Sequence, residues 1–180
     1  MGRNYICRAV TRRPTGMTEH GETLRLTGGC QCGAVRYVVT GPLERVHLCH
    51  CRMCQKATGG PFAASAPVRR KDFAWTRGNP AAFASSSLSH RDFCAACGTP
   101  LTFRYDDAET ISVTLGSLDA PQDVPPVRHY GIESRLAWLD RIGALPGETT
   151  EASMSAARAG RFVNYQHPDH DTEPDWTLAR

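Results

Sequence analysis

Eight cysteines stand in this chain of 180 residues, and seven of them fall into three tight clusters: Cys30-x-Cys32, Cys49-x-Cys51-x-x-Cys54 and Cys94-x-x-Cys97. Thiols two or three positions apart are a poor start for a disulfide framework, because neighbouring sulfurs on so short a segment point toward one centre, not toward distant partners. Tight C-x-C and C-x-x-C clasps are the spacing by which a loop turns two sulfurs toward one metal ion. The N-terminus lacks the apolar central region of a secretory signal, so a reducing, cytoplasmic compartment is expected, where thiols bind metal more readily than they pair.

The clusters divide naturally into four and three. Cys30 and Cys32 with Cys94 and Cys97 supply four thiolates, each pair followed by a glycine (Gly33, Gly98). Four thiolates close the tetrahedron of a structural zinc, and more than sixty residues lie between the clasps, so the ion would pin an early strand to a distant one. Cys49, Cys51 and Cys54 supply only three. A catalytic zinc keeps three protein ligands and leaves the fourth position for water or substrate. Two alternatives stay open. His47 or His50 could complete a closed second site, or Cys51-x-x-Cys54 could pair with Cys94-x-x-Cys97 in a zinc-ribbon-like arrangement that strands Cys30, Cys32 and Cys49. The division into four and three leaves only Cys7 unassigned, as a free thiol.

Around these clusters the sequence reads as mainly β. Ile111, Val113 and Leu115 alternate with Ser112 and Thr114, and Leu101, Phe103 and Tyr105 alternate with Thr102 and Arg104, with Asp106–Glu109 able to turn the chain between them. The spacing predicts a hairpin. Val35–Val39 before Gly41-Pro42, and Phe73–Thr76 before Gly78-Asn79-Pro80, carry the same pattern. Helical signals are confined to one turn over 52–57 and a short segment over 150–159 closed by Gly160.

Three regions are expected: a basic N-terminal extension over 1–21, a zinc-binding domain over 22–145, and a C-terminal extension over 146–180 ending in a solvated acidic tail. The excess of 21 Lys and Arg over 18 Asp and Glu is accounted for by Arg3, Arg8, Arg12 and Arg13. The remainder is close to neutral and offers no basic face for nucleic acid beyond Arg69-Arg70-Lys71. No uninterrupted apolar stretch is long enough to span a membrane. Neither nucleic acid nor membrane is an expected partner, and the sequence contains no serine-hydrolase elbow or phosphate-cradling loop.

The runs T-G-G-C-Q-C-G-A-V-R-Y (27–37), L-C-H-C-R-M-C-Q-K (48–56) and R-D-F-C-A-A-C-G-T-P-L (91–101) resemble the glutathione-dependent formaldehyde-activating enzyme family, which includes centromere protein V. The resemblance covers roughly residues 24–140. It implies a β-tent-like fold of small antiparallel sheets with two zinc ions per chain, a structural one on Cys30, Cys32, Cys94 and Cys97 and a substrate-facing one on Cys49, Cys51 and Cys54. It also implies a carbon–sulfur lyase acting on a thiol–aldehyde adduct, with glutathione and formaldehyde as small-molecule partners. Gln55 and Lys56, next to the second cluster, are candidate substrate contacts. The competing function is a non-catalytic zinc module that binds a protein partner through its β surface.

Overall fold

The computed structural model describes residues 24–173 and 175–177. The basic extension over 1–21, with Cys7, lies outside the described residues. Two sheets carry the fold. The smaller holds β1 (Leu26–Gly29), β2 (Arg36–Val39) and β5 (Phe73–Arg77), in the order β1-β2-β5 and all antiparallel.

The larger has seven strands: β3 (His47–Cys49), β4 (Ala63–Arg69), β6 (Ala81–Ser86), β7 (Ser89–Phe93), β8 (Pro100–Tyr105), β9 (Thr110–Thr114) and β10 (Arg128–Tyr130). Its order is β10-β3-β4-β9-β8-β7-β6. Every pair is antiparallel except β10 on β3, which brings Tyr130 beside Cys49. Helices are few and short, the main one being α1 (Arg52–Thr58); α2 covers only Ala156–Ala159. The mainly β architecture with few short helices expected from the sequence is the one found, and its strands fall into two sheets.

Alternation explains the core. Tyr37 and Val39 on β2, Ala66 and Val68 on β4, Leu101 on β8, and Ile111 and Val113 on β9 are buried in one cluster, to which both sheets contribute. The expected hairpin is β8–β9, with Thr102 opposite Val113 and Phe103 opposite Ser112. Its β8 side departs from simple alternation. Thr102 is buried because its hydroxyl donates to Asp92 at 2.6 Å, whereas Tyr105 is exposed at the strand end. A period-two reading misses such a position, since hydrogen bonding lets a polar side chain enter the core.

The C-terminal extension also departs from expectation. Its helix is a single turn capped by Ser155, and the segment beyond it keeps its acidic side chains exposed but is tied to the body of the fold. His167 is only 3% exposed. The His167 N–H donates to the Gln31 carbonyl at 2.7 Å, Arg36 donates to the His170 carbonyl at 2.6 Å, and Arg77 donates to the Trp176 carbonyl at 2.6 Å. This strap lies against Gly33, where an added Cβ would sit 2.5 Å from the His167 ring and 2.8 Å from Trp176 Nε1. Gly33 is therefore required for close approach as well as for its φ of +75°.

Candidate metal centres

The β1–β2 turn carries Cys30 and Cys32, and the β7–β8 loop carries Cys94 and Cys97. Each loop folds back on itself. The Cys30 N–H donates to Val35 O at 2.9 Å and the Gly33 N–H to Cys30 O at 3.0 Å, while the Cys94 N–H donates to Thr99 O at 3.0 Å and the Gly98 N–H to Cys94 O at 2.8 Å. The four sulfurs converge, all within 4.8 Å of one another. Cys30 and Cys32 Sγ are 3.5 Å apart, and Cys32 and Cys94 Sγ 3.8 Å. Zinc–sulfur bonds of about 2.3 Å in a tetrahedron place sulfurs about 3.8 Å apart, so the cage matches zinc; disulfide sulfurs would lie about 2.05 Å apart.

The second cluster uses three different pieces of local structure. Cys49 ends β3, Cys51 is the N-cap of α1, and Cys54 lies in the helix's first turn. The Cys51 sulfur accepts from the Cys54 N–H at 3.4 Å, so the cap that starts the helix also aims its sulfur. Cys49 and Cys51 Sγ are 3.6 Å apart, and all three sulfurs lie within 4.8 Å of one another. The sulfurs of both clusters match metal ligands as the sequence divides them, and the Cys51/Cys54 with Cys94/Cys97 partition does not form.

No histidine joins the second cluster among the described residues. His50 is buried and turned away, its Nε2 2.9 Å from His129 Nδ1 with the rings stacked. His47 lies with Nδ1 2.9 Å from the Arg45 carbonyl and its ring edge-on to Tyr130.

The candidate substrate contact Gln55 is engaged within the fold: its side-chain amide donates to the carbonyls of His50 at 2.7 Å and Ser134 at 3.0 Å, and its oxygen accepts from Arg52. It is buried and ties the cysteine loop to the segment after β10. Lys56 is exposed in the last turn of α1, two residues beyond Cys54.

The protonation pattern of the thiols fits a cation. Burial pushes Cys49 up to about 12 and Cys32 up to about 12. Cys94 is raised as well, again by burial first. One thiol in each cluster goes the other way. Burial opposes ionisation of Cys51, but the Cys54 N–H and the neighbouring thiols donate to it and draw it below its ordinary value. At Cys97, burial is likewise outweighed by the Thr99 hydroxyl, backbone N–H groups and Cys32, which bring it down to about 6. Each cluster thus sets one thiol drawn toward ionisation beside others that burial holds back, and a bound divalent cation favours the thiolate form of every ligand.

Two residues that sequence reasoning passed over pack against the three-cysteine site. Arg91, on β7, donates from Nη2 to Cys54 Sγ at 3.3 Å. Gly131, at a φ of +63°, lies so close that an added Cβ would sit 2.6 Å from the Cys51 nitrogen. Arg91 was visible only as a flank of the third cluster, and Gly131 only as a glycine after Tyr130.

The family model described as glutathione-dependent formaldehyde-activating enzyme matches residues 25–134, a span that contains both clusters, Arg91 and Gly131. The chain belongs to that family. Among curated relatives, an uncharacterized lyase of Schizosaccharomyces pombe is 30% identical over 82 residues, covering 46% of this chain and 59% of the relative. A putative glutathione-dependent formaldehyde-activating enzyme of Halomonas elongata is 27% identical over 125 residues, covering 64% of this chain and 80% of the relative. The chain thus spans less than two thirds of the yeast lyase. A solved Rhodobacter sphaeroides protein aligns at a TM-score of 0.46 with 26% identity, over 57% of this chain and 98% of that one. The C-terminal strap lies beyond the part matched by the family model. No helix among the described residues is long and apolar enough to cross a membrane.

Proposed function

We propose that this member of the family is a zinc-dependent carbon–sulfur lyase that interconverts glutathione and formaldehyde with S-hydroxymethylglutathione. The reading is carried by one observation: three part-exposed sulfurs converge from a strand end, a helix cap and a helix turn, with no fourth side-chain ligand among the described residues. It is supported by the names of the family and of the Halomonas relative.

Cys30, Cys32, Cys94 and Cys97 would hold a structural zinc, and Cys49, Cys51 and Cys54 a second. A zinc held there by three thiolates would leave a position for a substrate sulfur and would favour that sulfur's thiolate form, the nucleophilic one. In the forward direction the thiol sulfur forms a bond to the formaldehyde carbon, the carbonyl π bond breaks, the thiol proton leaves, and the new hydroxyl oxygen takes up a proton. Part-exposure of the cluster lets water carry both protons. The chain's own contribution is to hold the three sulfurs in place: the N-cap geometry fixes Cys51, Arg91 fixes Cys54, and Gln55 ties the loop to Ser134.

The test compares the zinc-loaded protein with a variant in which Cys49, Cys51 and Cys54 are serine. Hemithioacetal exchange of glutathione and formaldehyde is followed by NMR, alongside zinc per chain. Accelerated exchange with two zincs in the wild type, and none with one zinc in a folded variant, is expected. A wild type that leaves the exchange rate at its uncatalysed value would refute the assignment.

A further inference from the structure

Arg91 reaches the three-cysteine cluster from 37 residues away in the chain, on the far side of the larger sheet from β3. Its strand pairs with both neighbours at this position, Phe83 on β6 and Phe103 on β8. The guanidinium is held at three points. Nε donates to the Ser85 hydroxyl at 3.0 Å, the carbon centre lies 4.7 Å over the Phe103 ring, and Nη2 donates to Cys54 Sγ at 3.3 Å. A planar guanidinium fixed by stacking and a side-chain hydroxyl is pre-organised for its third contact.

Its charge is also uncommitted. The adjacent Asp92 points elsewhere and is taken by Arg104 at 2.7 Å and by Thr102, and among the described residues Arg91 has no carboxylate partner. Its terminal nitrogen is directed instead at the Cys54 sulfur. Arg91 also lines a cavity of about 270 Å³ with Ala57, Thr58 and Phe83.

Charge counting gives this contact a purpose. A divalent ion on three thiolates carries one net negative charge, and a fourth thiolate would raise it to two in a half-buried site, where like charge is costly. A fixed cation donating to one of the resident sulfurs offsets that charge and draws electron density from the sulfur that must share the metal. We propose that Arg91 is the positioning residue that enables the Cys49–Cys51–Cys54 site to accept a fourth, anionic sulfur ligand. The substrate class it selects is therefore thiols that bind as thiolates. The proposal rests on the reading of this cluster as an open metal site.

The test uses full-length protein loaded with Co²⁺, with 2-mercaptoethanol as the probe, because that thiol has no carboxylate to confuse the reading. Thiol uptake is followed by growth of the sulfur-to-cobalt charge-transfer band, with metal per chain and melting temperature measured alongside. Arg91→Gln should keep its metal and bind the thiol roughly tenfold more weakly, the scale of losing one charge-assisted hydrogen bond. Arg91→Lys, which keeps the charge but not the fork, should fall between, and Ser85→Ala should shift affinity the same way by less.

Equal thiol affinity in Arg91→Gln at full metal occupancy, loss of metal from that variant, or a wild type that takes up no thiol would each overturn the proposal. Should Arg91→Gln fail to fold, Arg91→Lys and Ser85→Ala carry the same comparison, and wild-type affinity in both would overturn it. Weakened binding of S-methylglutathione in the same variants would instead make Arg91 a carboxylate anchor. A wild type that takes up thiol yet leaves hemithioacetal exchange uncatalysed would sink the proposed reaction and leave this role of Arg91 standing.

Discussion

His50 Nε2 lies 2.9 Å from His129 Nδ1, with the two rings stacked 5.2 Å apart and 12° from parallel. The imidazole between two candidate metal ligands is thereby committed to β10 and to an edge contact with Phe62. It is a packing residue. His50→Ala is expected to leave metal per chain unchanged while lowering stability by about 1–3 kcal/mol, the cost of removing a buried, hydrogen-bonded group. Elemental analysis and a thermal melt on the same sample check both halves.

The two clusters should lose metal at different rates. Cys30 and Cys94 are buried and four sulfurs surround the first centre, whereas Cys49, Cys51 and Cys54 are all part-exposed. Challenge of the zinc-loaded protein with a chromogenic chelator is expected to release metal in two phases, the fast one absent when Cys49, Cys51 and Cys54 are serine. Unfolding should accompany only the slow phase, because only the four-cysteine centre joins the β1–β2 turn to the β7–β8 loop.

Gly131 holds β10 against the N-cap of α1. An alanine there must adopt a left-handed conformation at about 1–2 kcal/mol and place its Cβ against the Cys51 backbone, which cannot move aside as a flexible side chain would. Gly131→Ala is expected to displace Cys51 and weaken metal binding at the three-cysteine cluster, leaving the four-cysteine cluster loaded. Metal titration of the two clusters separately, by cobalt absorption in the wild type and in the triple serine variant, would reveal it.

The strap carries a pH dependence. Burial, and then the charge of Arg36, lower the pKa of His167 below its ordinary value of 6.5. A lowered pKa in the docked state means that docking stability is fully present above pH 6.5 and is lost as the pH falls through the docked-state value. Fluorescence of Trp176, whose ring lies 4.6 Å from His167, should therefore report release on acidification. Subtracting a Trp176→Phe protein isolates the signal, and His167→Gln should flatten the acid limb.

The parts of this protein that were legible in the sequence are those decided within a few residues. A C-x-C or C-x-x-C spacing turns its own sulfurs together, so the seven clustered thiols and their division into four and three could be read directly. Alternation placed β9, and turn residues placed the β8–β9 hairpin, for the same local reason. The family resemblance rested on these short runs and held over residues 25–134.

What only the tertiary structure decided depends on which distant segments meet. Whether His50 faces the metal cluster or the core was settled by β10, a three-residue strand that pairs with β3 in parallel from about eighty residues away. Arg91 looks like any strand arginine until the sheet order carries β7 toward α1. The His- and Asp-rich C-terminal segment has the composition of a solvated tail, yet Arg36 and Arg77 bind its carbonyls and Gly33 leaves room for His167. Backbone carbonyls and a missing Cβ have no signature in side-chain composition. Sequence therefore determined which ligands this chain offers, and long-range packing determined what surrounds them.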